Sequence, residues 1–125
     1  MLRIALTRLD SGWHDGATFE RDRAEFLAPL RREFELTIDR GGGETEAELR
    51  VVFVASGGSE DEFRRRFPGL SRPVILLADG KHNSLPAALE IAAWVRQQGE
   101  AAEIVHGDTA SIAARLRVLA GWHRA

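Results

Sequence analysis

A three-layer α/β domain, with one five-stranded parallel sheet between two layers of helices, is the fold class this sequence predicts. Three observations predict it. Five apolar runs of strand length recur along the chain, at residues 2–6, 34–38, 51–55, 74–78 and 102–106. Helical patterns separate most of them, and alternation of strand and helix in one small domain calls for a parallel sheet. The third and fourth runs (Val51, Val52, Phe53, Val54, Ala55 and Val74, Ile75, Leu76, Leu77, Ala78) are apolar without interruption. A strand covered on both faces needs that pattern.

Taken in order, Leu2, Ile4 and Leu6 alternate with other residues, which fits a half-buried or edge strand. Thr18 can cap a first helix that carries Phe19, Phe26, Leu27 and Leu30 on one face. Phe34, Leu36 and Ile38 alternate again. The glycines at 41, 42 and 43 consume part of the next connection, leaving only a short, weak crossover from Glu44 to Arg50. After the third run, Ser59 and Glu62 form a capping-box signal before Phe63 and Phe67, and Pro68 and Gly69 stop that helix. Asn83, Ser84, Leu85 and Pro86 open the clearest helix, which runs through Ala87, Leu89, Ile91, Ala92 and Val95 towards Gly99. Asp108 can cap a last helix with Ile112, Leu116 and Leu119, ending near Gly121. The expected strand order is 2-1-3-4-5, flavodoxin-like, with right-handed crossovers.

Residues 1–125 suffice for one domain and are too few for two. A hydrophobic fraction of 44% and a charged fraction of 29% exclude a disordered tail. The chain has no cysteine, which excludes disulfides, thiolate metal sites and cysteine nucleophiles. Seventeen basic and 19 acidic side chains leave a net charge of −2, so no overall basic field favours nucleic acid. No run reaches the roughly 18 apolar residues of a membrane span, and no signal-peptide pattern opens the chain. A cytoplasmic protein is expected. Lys81 is the only lysine.

In an open parallel sheet, ligands bind beyond the carboxyl ends of the strands. Four loops lie on that edge: residues 7–16 after the first run, with Thr7, Arg8, Asp10 and His14, residues 56–60 after the third, 79–84 after the fourth and 106–108 after the fifth. Ser56, Gly57, Gly58 and Ser59 form a glycine turn at a helix start, where amides and helix dipole favour an anion or a sugar hydroxyl. The turn fits neither a Walker loop nor a dinucleotide fingerprint. Asp79, Lys81, His82, Asn83 and Ser84 place a carboxylate, an amine, an imidazole, an amide and a hydroxyl within six residues. Asn83 or Ser84 also has a plain role as a helix cap, and Asp79 as an acceptor for loop amides. His106 and Asp108 follow the fifth run. A metal site would need His14, His82, His106, Asp79 and Asp108 to converge from three loops, since none is paired at a local ligand interval; no metal is expected. No serine-nucleophile elbow is present.

Residues 51–60 resemble the strand and threonine-glycine-glycine-threonine-glutamate turn of L-fucose isomerase-like proteins, with Ser56 and Ser59 in place of the threonines. Residues 72–91, with Asn83, Ser84 and Leu85 before an alanine-rich helix, and residues 98–108 continue the likeness. The resemblance implies carbohydrate metabolism and an aldose–ketose isomerase built from amino-terminal flavodoxin-like domains and a carboxyl-terminal catalytic domain. A divalent metal such as manganese is implied only for that catalytic domain, whose glutamate, aspartate and histidine ligands lie later than this chain extends. The expectation is therefore a sugar-binding or assembly domain, with a sugar or sugar phosphate, a second copy, or a separate catalytic subunit as partner. No catalytic residue is assigned. Two alternatives stand beside it. One is a small stand-alone enzyme using Lys81 or His82, the lysine pKa depressed beside the histidine so that it acts as base or Schiff-base nucleophile. The other is an interaction protein anchored by Trp13, Trp94 or Trp122.

Overall fold

The computed structural model describes residues 3–9, 24–39, 47–55, 57–68, 73–79, 84–107 and 109–124. Five strands, β1 (Arg3–Leu9), β2 (Glu35–Asp39), β3 (Leu49–Val54), β4 (Val74–Asp79) and β5 (Ala102–Gly107), form one sheet. Its order is β2-β1-β3-β4-β5 and every pairing is parallel, as the sequence predicts. Among the described residues four helices accompany them: α1 (Ala24–Glu33), α2 (Glu60–Arg66), α3 (Leu85–Gln97) and α4 (Thr109–Arg124).

Side chains alternate across the sheet and so build two cores. On one face Ile4, Leu6, Val51, Phe53, Ile75, Leu77 and Val105 meet Leu27 and Leu30 of α1 and Leu116 and Leu119 of α4. On the other, Leu9, Val52, Val54, Leu76 and Ala78 meet Phe63 of α2 and Ala88, Ile91, Ala92 and Val95 of α3. The step from β1 to β2 moves one way across the sheet and uses α1. The steps from β3 to β4 and from β4 to β5 move the other way and use α2 and α3 on the opposite face. Reversing both direction and face keeps the crossover hand unchanged, which is the condition the twist of a parallel sheet imposes. An ion pair between Arg117 and Glu33, 3.2 Å, joins α4 to α1.

The second core is held by aromatic contacts. Phe63 lies 4.8 Å from Phe67 and 5.9 Å, edge-on, from Trp94, ring centre to ring centre. The Arg64 guanidinium sits 5.2 Å over the Trp94 ring. Trp94 thus spends its aromatic surface between α2 and α3; Trp13 lies outside the described residues, as do the first-helix cap Thr18 and Phe19.

Two departures from the sequence expectations occur in the middle of the sheet. The alternation in the first apolar run points to a half-buried strand, yet Ile4, Ala5, Leu6 and Thr7 are all buried, and the strand continues to Leu9. Arg50, expected in a connection, is a buried residue of β3. The two explain each other. Arg50 Nη1 donates to Thr7 Oγ1 at 3.1 Å, and its guanidinium lies 5.0 Å over the Phe67 ring. A hydroxyl and a cation that share a hydrogen bond can be taken out of water where either alone would be costly. α4 runs past Gly121 to Arg124, with the glycine at a helical position inside it.

Candidate functional site at the carboxyl edge of the sheet

The last residues of the central strands lie in one row: Leu9 opposite Val54, Val54 opposite Ala78, and Ala78 opposite His106. Asp79 and Gly107 follow as the final pair of β4 and β5. The direction in which successive strands are added across the sheet reverses between β1 and β3, so the switch point of the fold stands over Leu9 and Val54. Adjacent strands lie about 4.8 Å apart, which puts the loops after β1 and β4 roughly 10 Å apart at their roots.

The turn after β3 is drawn tightly against β1. The Ala55 amide donates to the Leu9 carbonyl, and the Gly58 amide donates to the Ala55 carbonyl, at 2.8 and 2.9 Å. Gly57 has φ 81°, the left-handed region that glycine enters without a Cβ penalty. A Cβ on Gly58 would stand 2.6 Å from the Leu9 carbonyl oxygen and 3.1 Å from that of Ala55. Both glycines therefore have a structural duty: they let the start of α2 settle on the end of β1.

Ser59 caps α2, its Oγ accepting from the Glu62 amide at 3.1 Å. The Glu62 carboxylate does not complete a capping box. It takes the Arg66 Nε at 2.8 Å and also binds Arg65. The Arg65 hydrogen bond is the main reason the Glu62 carboxyl is held below its ordinary value of 4.5; burial opposes the shift, and Arg66 adds to it. Arg66 Nη1 in turn donates to the Arg8 carbonyl at 2.9 Å. The pair Glu62–Arg66 is visible in sequence as an i,i+4 spacing. The reach of Arg66 to a strand 58 residues earlier is not.

At the end of β4 the helix α3 begins with Ser84, which is buried at 4% exposure. Ser84 has the N-cap position but not its usual extended backbone: φ is −94° and ψ is 0°, and its side chain makes no capping bond. Its Oγ is buried without a hydrogen-bond partner. The Ala88 amide bonds the Ser84 carbonyl, and the first turn of α3 contains no acidic residue.

Of the residues singled out from sequence, the structure therefore brings Gly57, Gly58, Ser59 and Ser84, with the backbone of Asp79, to one edge on two hydrogen-bonded strands. Ser56, Lys81, His82 and Asn83 lie outside the described residues, as do His14 and Asp108. His106 is exposed on the edge strand β5, one strand beyond β4. Among the described residues no three of His, Asp or Glu come together as a metal site, and no helix is long and apolar enough to cross a membrane. No protein-family model, curated protein or solved structure matches this chain.

Proposed function

We propose that this chain is a binding domain for a sugar-like, polyhydroxylated small molecule, related to the amino-terminal domain of L-fucose isomerase-like proteins. The observation that carries the reading is the edge shared by the Gly57–Ser59 turn and the Ser84 helix mouth, beside the switch point of the sheet. Polar groups on two adjacent loops, about 5 Å apart at their roots, suit a ligand of one sugar ring. Ser56, Lys81, His82 and Asn83 would add directional hydrogen bonds, and the same edge would present the ligand to a second copy or to a separate catalytic subunit.

A thermal-shift screen of the full chain against aldoses, ketoses and sugar phosphates, with and without manganese, tests the reading. A ligand at 100 times its dissociation constant stabilises by about 2.7 kcal/mol, enough to move the melting midpoint by several degrees. No stabilisation by any member of the series would remove the sugar site.

A further inference from the structure

We infer that the mouth of α3 is an anion subsite, so that the ligand of this edge carries a phosphate; this rests on the binding function proposed above and names its substrate class. Three observations lead there. α3 is 13 residues long, enough for its aligned peptide dipoles to concentrate positive potential at its start. Its first turn supplies no internal carboxylate to offset that potential. Leu85 and Ala87 present amides that helix geometry leaves without an intrahelical acceptor, and Pro86 between them has none to present.

The independent observation is Ser84. A serine ahead of a helix ordinarily turns its hydroxyl onto the first-turn amides, as Ser59 does at α2. Ser84 does not; its hydroxyl is buried, donates to nothing and accepts nothing. Buried polar groups are almost always paired, and a polar group left over at a functional edge marks a missing partner. A phosphate oxygen would supply that partner, accepting from the Ser84 hydroxyl and from first-turn amides together.

The neighbouring helix excludes the opposite orientation. The first turn of α2 carries Glu60, Asp61 and Glu62, and Ser59 already caps it. Glu60 is paired with Arg64, Glu62 with Arg65 and Arg66, and the Glu62 amide with Ser59, so the start of α2 offers an anion no comparable place.

The test uses the ¹⁵N-labelled full chain, titrated with inorganic phosphate, a hexose 6-phosphate and the same hexose without phosphate, at ionic strength matched with sodium chloride. Both phosphates should raise the melting midpoint and shift the amide resonances of Leu85 and Ala87. Ser84→Ala should melt at or above the wild-type temperature without phosphate, because it removes an unpaired buried hydroxyl, and should bind phosphate about tenfold or more weakly. Ala87→Glu supplies an internal anion to the same turn and should stabilise the free protein while abolishing the phosphate response. Equal stabilisation by the hexose and its phosphate overturns the anion subsite and leaves the sugar site standing. Wild-type phosphate binding by both variants, or phosphate shifts confined to other amides, also overturns it. No response to any of the three compounds removes the subsite and the sugar site together.

Discussion

Replacing Gly58 by alanine tests the close approach on which the geometry of the candidate site depends. The added Cβ would meet the Leu9 oxygen at 2.6 Å, the Ala55 oxygen at 3.1 Å and Val54 Cγ1 at 3.2 Å. Two of these atoms are backbone and cannot rotate away, so the turn must lift off β1. Overpacking of this kind costs about 1–3 kcal/mol. Weakening the Gly58–Ala55 hydrogen bond adds about 1 kcal/mol, and the reduced freedom of the unfolded chain returns about 0.4–1 kcal/mol. The expected net loss is about 2 kcal/mol, a fall in melting midpoint of roughly 8 °C for a chain of this length. Two sister substitutions calibrate it. Gly121 lies within α4 with open space around its Cβ position, so Gly121→Ala should stabilise by about 0.5–1 kcal/mol. Gly99 also has open space but sits at φ +87°, so Gly99→Ala should lose about 1–2 kcal/mol through backbone strain alone. Thermal unfolding of the three variants by circular dichroism gives the ranking. If Gly58→Ala melts with the wild type or above it, the contact between the turn and β1 is wrong.

Two further substitutions probe the helices beside the site. Phe63→Ala empties a fully buried position against Phe67 and Trp94 and should cost about 3–5 kcal/mol in urea unfolding; a loss under about 1 kcal/mol would contradict the packing of α2 on α3. Glu62→Gln bears on pH dependence. A carboxyl held below its ordinary value stabilises the fold above pH 4.5, and that contribution disappears as pH falls through the lower folded-state value. The wild type should therefore lose more stability than Glu62→Gln between pH 6 and pH 3, and parallel melting profiles would show that the Arg65 and Arg66 bonds do not support the fold.

Much of this architecture is written in local pattern. The uninterrupted runs at Val51–Ala55 and Val74–Ala78 mark strands covered on both faces because a side chain on either face of a buried strand must be apolar. Ser59 ahead of Phe63, and Leu116 with Leu119, mark helices because the 3.6-residue period decides which side chains share a face. From such elements in this order, the parallel sheet and its carboxyl edge follow, and with them the place where Gly57, Gly58, Ser59 and Ser84 gather.

What the tertiary structure alone decided concerns partners far apart in the chain. Thr7 reads as a loop residue until Arg50, 43 residues later, provides its hydrogen bond and makes it a core position. Gly58 reads as a flexible turn or an anion cradle; its lack of a side chain is required by the Leu9 carbonyl, which only strand pairing brings near. Ser84 reads as an ordinary cap, and its hydroxyl is instead enclosed and unpaired. Local sequence specifies which residues avoid water and with what period, because those preferences act within a few bonds. Hydrogen-bond satisfaction and close approach depend on atoms that become neighbours only when the sheet assembles, so burial at Thr7 and Arg50, the need for glycine at 58 and the orphan hydroxyl of Ser84 belong to the assembled fold.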